Sequence, residues 1–241
     1  MKKIFFYLMA AIVLTTACNK DEDHDTGPNP MTMTTQLSNV SISLRGTETA
    51  TIDWGDKTEI ETYSLSESGQ TYTHVYSGSS IRNITITGNN VMSLNISEQG
   101  ITKLDVSRNP ALTRLISGRN PLKRLDVRNN TALTILDCYV NELTELDLSN
   151  NTELTEFNCH SNYLTKLDLS NNIKLWVLNC EDNKLTSQSL NEMFGTLHNY
   201  FLERSKIAYI AGNSGTNDCD GSIAENKGWY VSLQKNPSSD W

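Results

Sequence analysis

A mainly β chain with little helix, built on a short solenoid of 21-residue coils between a small β unit and a terminal cap, is the fold class the sequence predicts. Three observations predict it. Leu104, Leu125, Leu146 and Leu167 recur every 21 residues, and so do Leu115, Leu136, Phe157 and Leu178. Asn109, Asn120, Asn130, Asn141, Asn151, Asn162, Asn172 and Asn183 alternate in steps of 11 and 10. Upstream, "TATIDWGDKTEIETYSL", "YTHVYSG" and "IRNITITG" alternate apolar and polar residues between turn signals, the period of half-buried strands. A fixed period of this length marks stacked units, none of which can bury its apolar face alone.

The chain opens with Lys2 and Lys3, the apolar run "IFFYLMAAIVL" and "TTAC" ending at Cys18. A short apolar segment behind two lysines reads as a secretory signal, here over 1–17. Ala17 before Cys18 resembles a bacterial lipobox, which implies that the Cys18 thiol is lipidated and begins the mature chain. The following "NKDEDHD" resembles the export signal of Bacteroidetes-type surface lipoproteins. That resemblance implies an outer-membrane, lipid-anchored protein exposed on the cell surface. From Cys18 to position 36 the Pro- and Thr-rich sequence reads as anchor and flexible linker. No apolar run reaches the ~20 residues of a spanning helix, so the lipid is the one membrane attachment expected. A net charge of −8 argues against a nucleic-acid partner, which would require a basic footprint.

Residues 37–90 follow as alternating strands. Asp53-Trp54-Gly55-Asp56 and the later His74-Val75-Tyr76 resemble the paired strand motifs of a PKD-like β-sandwich, with Lys57 where that family usually has Gly. Trp54 and Tyr76 are expected in the core or a turn. The run "ITITGN" leads straight toward the first coil, so the sandwich is expected to act as an N-terminal cap.

Over 91–186, each 21-residue unit splits into "LxxLDLxxNx" and "LxxLxCxxNx" halves. These residues resemble a short bacterial subtype of leucine-rich repeat. The first coil is degenerate, with Gln99 in an Asn slot and Ser117 in a Cys slot, as edge coils of solenoids commonly are. The asparagines are expected to bond the backbone where each coil turns. Cys138, Cys159 and Cys180 also recur every 21 residues. Strand alternation points each inward, two positions after an inward Leu or Phe, in the slot that Leu148 and Leu169 fill in the other half. A buried cysteine behaves as a small hydrophobe. Packing is therefore expected rather than a metal site or disulfides.

Outward positions carry any function. One strand face, with Asp105, Asp126, Asp147 and Asp168 beside Lys103, Arg124 and Lys166, reads as solvated. The second face is irregular, and the candidate partner-binding residues are taken from it: Ile135, Asp137, Tyr139, Asn158, His160, Asn179 and Glu181, with Tyr163 and Trp176 in the adjacent turns. Mixed apolar and aromatic patches of this kind bind partners, though scattered exposed apolar residues are also ordinary surface. Tyr139 and His160 are the expected anchors.

The remaining segment, 187–241, is read as a cap: a helix N-capped by Ser187 and running to about Leu197, a strand, then a Gly-rich loop. Asp218, Asp220 and Gly221 hint at a calcium loop, but Lys227 stands where the closing Glu is needed. No metal and no cofactor are expected. There is no GxSxG, HExxH or phosphate loop, which argues against an enzyme. The expected function is an internalin-like surface module, a monomer that binds a protein or glycan through the repeat face. A scaffold subunit of an outer-membrane complex is the alternative, and a hydrolase the least favoured.

Overall fold

The computed structural model describes residues 30–237. The signal segment, Cys18 and most of the linker lie outside the described residues. The linker expectation fails at its end, because Pro30–Thr35 forms strand β1. Met31 and Met33 alternate into the core there at 0% and 1% exposure, which gives the segment a buried face to hold it.

The sandwich continues with β2 (Asn39–Gly46), β3 (Thr49–Asp53), β4 (Glu61–Ser64), β5 (Gln70–Val75) and β6 (Arg82–Thr87). The first coil then supplies β7 (Val91–Asn95) and β8 (Lys103–Asp105). These two strands are shared with the sandwich. Strand β8 extends the sheet β4-β3-β6-β1-β8, while β7 joins β2 and β5 to the solenoid strands. The two halves of one coil thus continue the two sheets of the sandwich, and a single core runs from Met31 to Trp229. The sandwich caps the solenoid by sharing strands with it.

Each later coil contributes one short strand: β9 (Arg114–Ile116), β10 (Ile135–Asp137), β11 (Glu156–Asn158) and β12 (Val177–Asn179). They pair in parallel and in register. The "LDL" halves that follow coil 1, expected as strands, are not strands. There the Asp126, Asp147 and Asp168 carboxylates accept the backbone N–H two residues on, at 3.1, 3.0 and 2.9 Å, bending the chain at once into a turn. This side is exposed, as the solvated reading expects.

The asparagines form two ladders. Asn162 is typical of the first: its Nδ2 donates to Cys138 O in the preceding coil and Cys159 O in its own, at 3.0 and 3.1 Å. Its Oδ1 accepts the Leu143 N–H at 3.0 Å. Asn120, Asn141 and Asn183 repeat the arrangement. In the second ladder Asn130, Asn151 and Asn172 donate to two carbonyls each, but their Oδ1 atoms are buried without a hydrogen-bond partner. Between the halves, Leu136, Phe157 and Leu178 fill the core with Cys138, Cys159 and Cys180, all at 0% exposure. The cysteines are free thiols whose burial pushes their pKa far up, so they are packing residues.

The residue before each first-ladder asparagine takes a left-handed backbone: Arg119, Val140, Ser161, Asp182 and Gly212. A β-branched side chain is strained there, and Val140 sits at φ 47°. Lys57, in the usual glycine slot of the sandwich motif, sits at φ 69°. Val140→Gly and Lys57→Gly are each expected to raise stability by about 1 kcal/mol, less the entropy glycine adds to the unfolded chain. Thermal melting checks this, with a higher Tm as the expected result.

Trp54 is 1% exposed, stacks on His74 at 4.9 Å between ring centroids, and accepts the Tyr76 hydroxyl at its carbonyl at 2.8 Å. His74 Nε2 lies 2.8 Å from Asp56 Oδ2. The Thr58 hydroxyl, and then His74, hold the Asp56 carboxyl down from 3.8 to about 2. Its folded pKa lies below its unfolded one, so its contribution is complete above about pH 4 and is lost as pH falls toward 2. Melting from pH 5 to 2 is expected to show a fall in Tm in that window, shallower in Asp56→Asn.

The expected cap contains further coil structure. Helix α1 (Ser187–Thr196) is capped by Thr186, one residue earlier than expected, whose Oγ1 accepts the Ser189 N–H at 3.2 Å. Strand β13 (Lys206–Tyr209), helix α2 (Ser222–Glu225) and β14 (Trp229–Ser232) follow. Strands β13 and β14 extend the parallel ladder. Asn213 extends the asparagine ladder, donating to Cys180 O and Ile210 O at 2.9 Å each and accepting from Leu185 N–H at 3.1 Å. Lys227 donates to Phe194 O and Leu197 O at 3.1 and 2.8 Å, tying off the end of α1. Asp220 caps Ser222, and among the described residues no group of His, Cys, Asp and Glu is arranged to hold a metal ion.

Candidate functional site

The parallel ladder sets three rows of side chains on the outward face of the sheet, with neighbours about 4.8 Å apart along a row. The first row runs Ser93, Arg114, Ile135, Glu156, Val177, Ile207 and Tyr230. From Arg114 to Ile207 these are half-buried, and Tyr230 is 64% exposed. Ile135 is thus where the sequence places it, on the accessible surface.

The second row corrects the sequence reading. Asp137, Asn158 and Asn179 were expected to face solvent, yet all three are fully buried. Their short side chains fold back on the strand, each Oδ1 accepting the N–H two residues on, at 3.4, 3.3 and 3.1 Å. Longer side chains on the flanking rows then close over them.

The third row is Gly118, Tyr139, His160 and Glu181. Tyr139 and His160 stack at 5.0 Å with a 25° interplanar angle. A Cβ on Gly118 would stand 2.0 Å from the Tyr139 ring, so glycine is what admits the ring. Arg119 donates from Nε to the Tyr139 hydroxyl at 3.1 Å, and the guanidinium lies 5.4 Å from the ring centroid. Tyr139 and His160 are consequently only 8% exposed each. Glu181 is 1% exposed, against expectation, because the chain after β14 returns over it: its Oε1 accepts the Asn236 N–H at 2.7 Å, and Lys235 pairs with Asp182. Burial raises the Glu181 carboxyl above its usual range. The expected anchors are therefore largely internal, and the expected acidic contact lies under the chain end.

Tyr163 is 49% exposed, with Lys184 Nζ 5.8 Å from its ring centroid. Trp176 is half-buried under the Arg204 guanidinium at 4.9 Å. They flank opposite ends of the strands and do not form one patch. The accessible site is instead the first row, with a groove of about 470 Å³ at its N-terminal end. Arg45, Glu67 and Met92 form one side of that groove, and Thr113, Arg114, Thr134 and Ile135 the other. The hydroxyls of Thr113, Thr134 and Thr155 donate to the carbonyl of the coil before, at 2.9, 3.0 and 2.9 Å, and line the edge of the row. That threonine column has the same 21-residue period as the leucines and was a usable signal. So was "IAYIAGN", which aligns with "VLNCEDN" and announces that Ile207 and Tyr209 continue the rows. The sandwich wall of the groove had no sequence signal, since it depends on how β7 pairs with β2.

No family model and no curated protein matches the chain. Its neighbours among solved structures are leucine-rich-repeat proteins, several of the internalin type. The functional domain of InlJ from Listeria monocytogenes, described as including a cysteine ladder, is 34% identical at a TM-score of 0.41, covering 57% of this chain and 33% of that one. Internalin C2 from Listeria monocytogenes is 19% identical over 60% of this chain and 81% of its own, with a TM-score of 0.36. The BIR2 ectodomain from Arabidopsis thaliana is 18% identical over 52% and 67%, with a TM-score of 0.39. The chain spans about a third of the InlJ structure. This chain is itself a mainly β solenoid of about 21-residue turns.

Proposed function

We propose that the chain is a lipid-anchored, cell-surface binding module that takes a protein partner along the first outward row. The observation that carries this reading is the row itself. Seven in-register residues, from Ser93 to Tyr230, set Ile135, Val177, Ile207 and Tyr230 beside Arg114 and Glu156 along a rigid ladder, with a groove at one end. Ile135, Val177, Ile207 and Tyr230 offer apolar contact, while Arg114 and Glu156 set register, the composition of an interface centre with a polar rim. Rigid presentation lowers the ordering cost of binding. The internalin-type neighbours are consistent with the solenoid and add nothing on the partner.

A binding role is also favoured over catalysis by the state of the described histidines. His74 is held by Asp56, His160 is stacked on Tyr139, and His198 Nε2 lies 2.7 Å from Leu175 O. None stands in a groove beside a nucleophile.

Two experiments test the proposal. Cys18→Ser is expected to abolish metabolic labelling with a fatty-acid analogue and to release the protein from the membrane fraction; retained labelling contradicts the anchor. The Ile135→Asp, Val177→Asp double variant is expected to lose at least tenfold in affinity for the captured partner, with an unchanged melting profile. Unchanged affinity contradicts the row.

A further inference from the structure

The segment between α1 and β13 makes its coil longer than the others, with 30 residues from Asn183 to Asn213 instead of 21. Part of the excess is the loop 199–205. It carries the most exposed large apolar side chain among the described residues, Phe201 at 92%, next to Tyr200 at 57%. Loops that expose rings in this way cost solubility unless something covers them.

This loop is held firmly from below. The Lys206 amine, at 6% exposure, donates to Tyr200 O and Lys227 O at 2.9 and 2.6 Å, although burial pulls its pKa down. His198 accepts the Tyr200 N–H at Nδ1 at 3.2 Å, and Trp229 Nε1 donates to His198 O at 3.0 Å. A buried polar network thus fixes the loop while its rings point out.

Beside the rings lies an open groove of about 620 Å³. Its lining includes Tyr200, Phe201, Glu203, Arg204, Lys206 and Lys227, three cations against one carboxylate in a chain whose net charge is −8. The two lysine amines are engaged by backbone carbonyls. Arg204 is different. Its guanidinium is exposed and stacked 4.9 Å from the Trp176 ring centroid, and no carboxylate among the described residues pairs with it. A planar fork oriented by stacking, with its donors turned to solvent, matches a carboxylate bidentately.

We propose that this groove binds an acidic sugar, a uronate unit of a glycan, with its pyranose ring against Phe201 and its carboxylate on Arg204. A uronate places an apolar C–H face and a carboxylate on one ring, which fits an exposed aromatic next to a guanidinium. Its hydroxyls meet Glu203 and the groove amides Asn199 and Asn226. A peptide is disfavoured because β13, the strand behind the groove, is paired on both edges and offers no free backbone for strand addition.

The test titrates the chain from Asn19 with a trigalacturonate, a hyaluronan tetrasaccharide, the methyl ester of each, and an acidic tripeptide containing phenylalanine. At least one uronate is expected to bind saturably, and its neutral ester at least tenfold more weakly. Arg204→Gln should erase that difference and Phe201→Ala should weaken acid and ester alike, both with unchanged melting. The Ile135→Asp, Val177→Asp variant should keep full uronate binding, which separates this site from the row. The proposal is overturned if neither uronate binds, if ester and acid bind equally, if the tripeptide binds as tightly, or if Arg204→Gln retains the acid preference.

Discussion

Replacing Asn162 with leucine is expected to destabilise the protein by about 2–4 kcal/mol, among the largest effects of any single side chain here. The side chain is 2% exposed and serves two coils at once. Its removal leaves the Leu143 N–H buried without a partner, which costs about 1–3 kcal/mol, and takes one of two donors from each of the Cys138 and Cys159 carbonyls, which keep Asn141 and Asn183. Leucine is close in volume, so the loss is one of hydrogen bonds and not of packing. Asn151→Leu provides the internal comparison. Asn151 also donates to two carbonyls, but its Oδ1 is a buried acceptor without a partner, and substitution removes that cost along with the bonds. The loss at Asn151 should therefore be about 1–2 kcal/mol smaller than at Asn162. Urea denaturation of both variants, compared at constant m-value, decides the matter. Equal losses would contradict the distinction between the two ladders.

The second large effect is expected at the junction. Leu94 lies on β7, the strand that pairs with β2 of the sandwich on one side and β9 of the solenoid on the other, and it is 0% exposed. Leu94→Ala should cost about 2–5 kcal/mol through lost burial and the cavity left behind. The structural consequence is that both parts feel the loss. Hydrogen exchange read peptide by peptide across a urea series reports the sandwich at β3 and β6 and the solenoid at β10 and β11, and the two midpoints should fall together in the variant as they coincide in the parent. A solenoid transition that stays in place while the sandwich shifts would show two independent folding units instead of one shared core.

The coil was legible because the residues that build it are periodic. The 21-residue spacing of leucine, asparagine and cysteine reports inward positions and turns, and local backbone bonding needs nothing beyond one neighbouring coil. The outward face was less legible for a physical reason. Alternation says that Asp137, Asn158 and Asn179 leave the core, but not that a short polar side chain will bond its own strand and be covered by larger neighbours. Glu181 was misread because the segment that buries it arrives from more than fifty residues away in sequence. The cap was underestimated because the long loop displaced "IAYIAGN" from the 21-residue register, although its own pattern continued. What a single sequence shows well is contact between adjacent repeats; contact across the fold it shows poorly.

Site-specific photocrosslinking on intact cells tests the central claim, that the first outward row is where a protein partner docks. A photoreactive phenylalanine analogue would be placed in turn at Ile135, Val177 and Tyr230 on the row, and at Thr144 and Thr165 on the opposite, solvated side. The account predicts a crosslinked protein adduct of one discrete mass from the three row positions and none from the two controls. Adducts confined to Thr144 and Thr165, or equal yields from both sides, would contradict it.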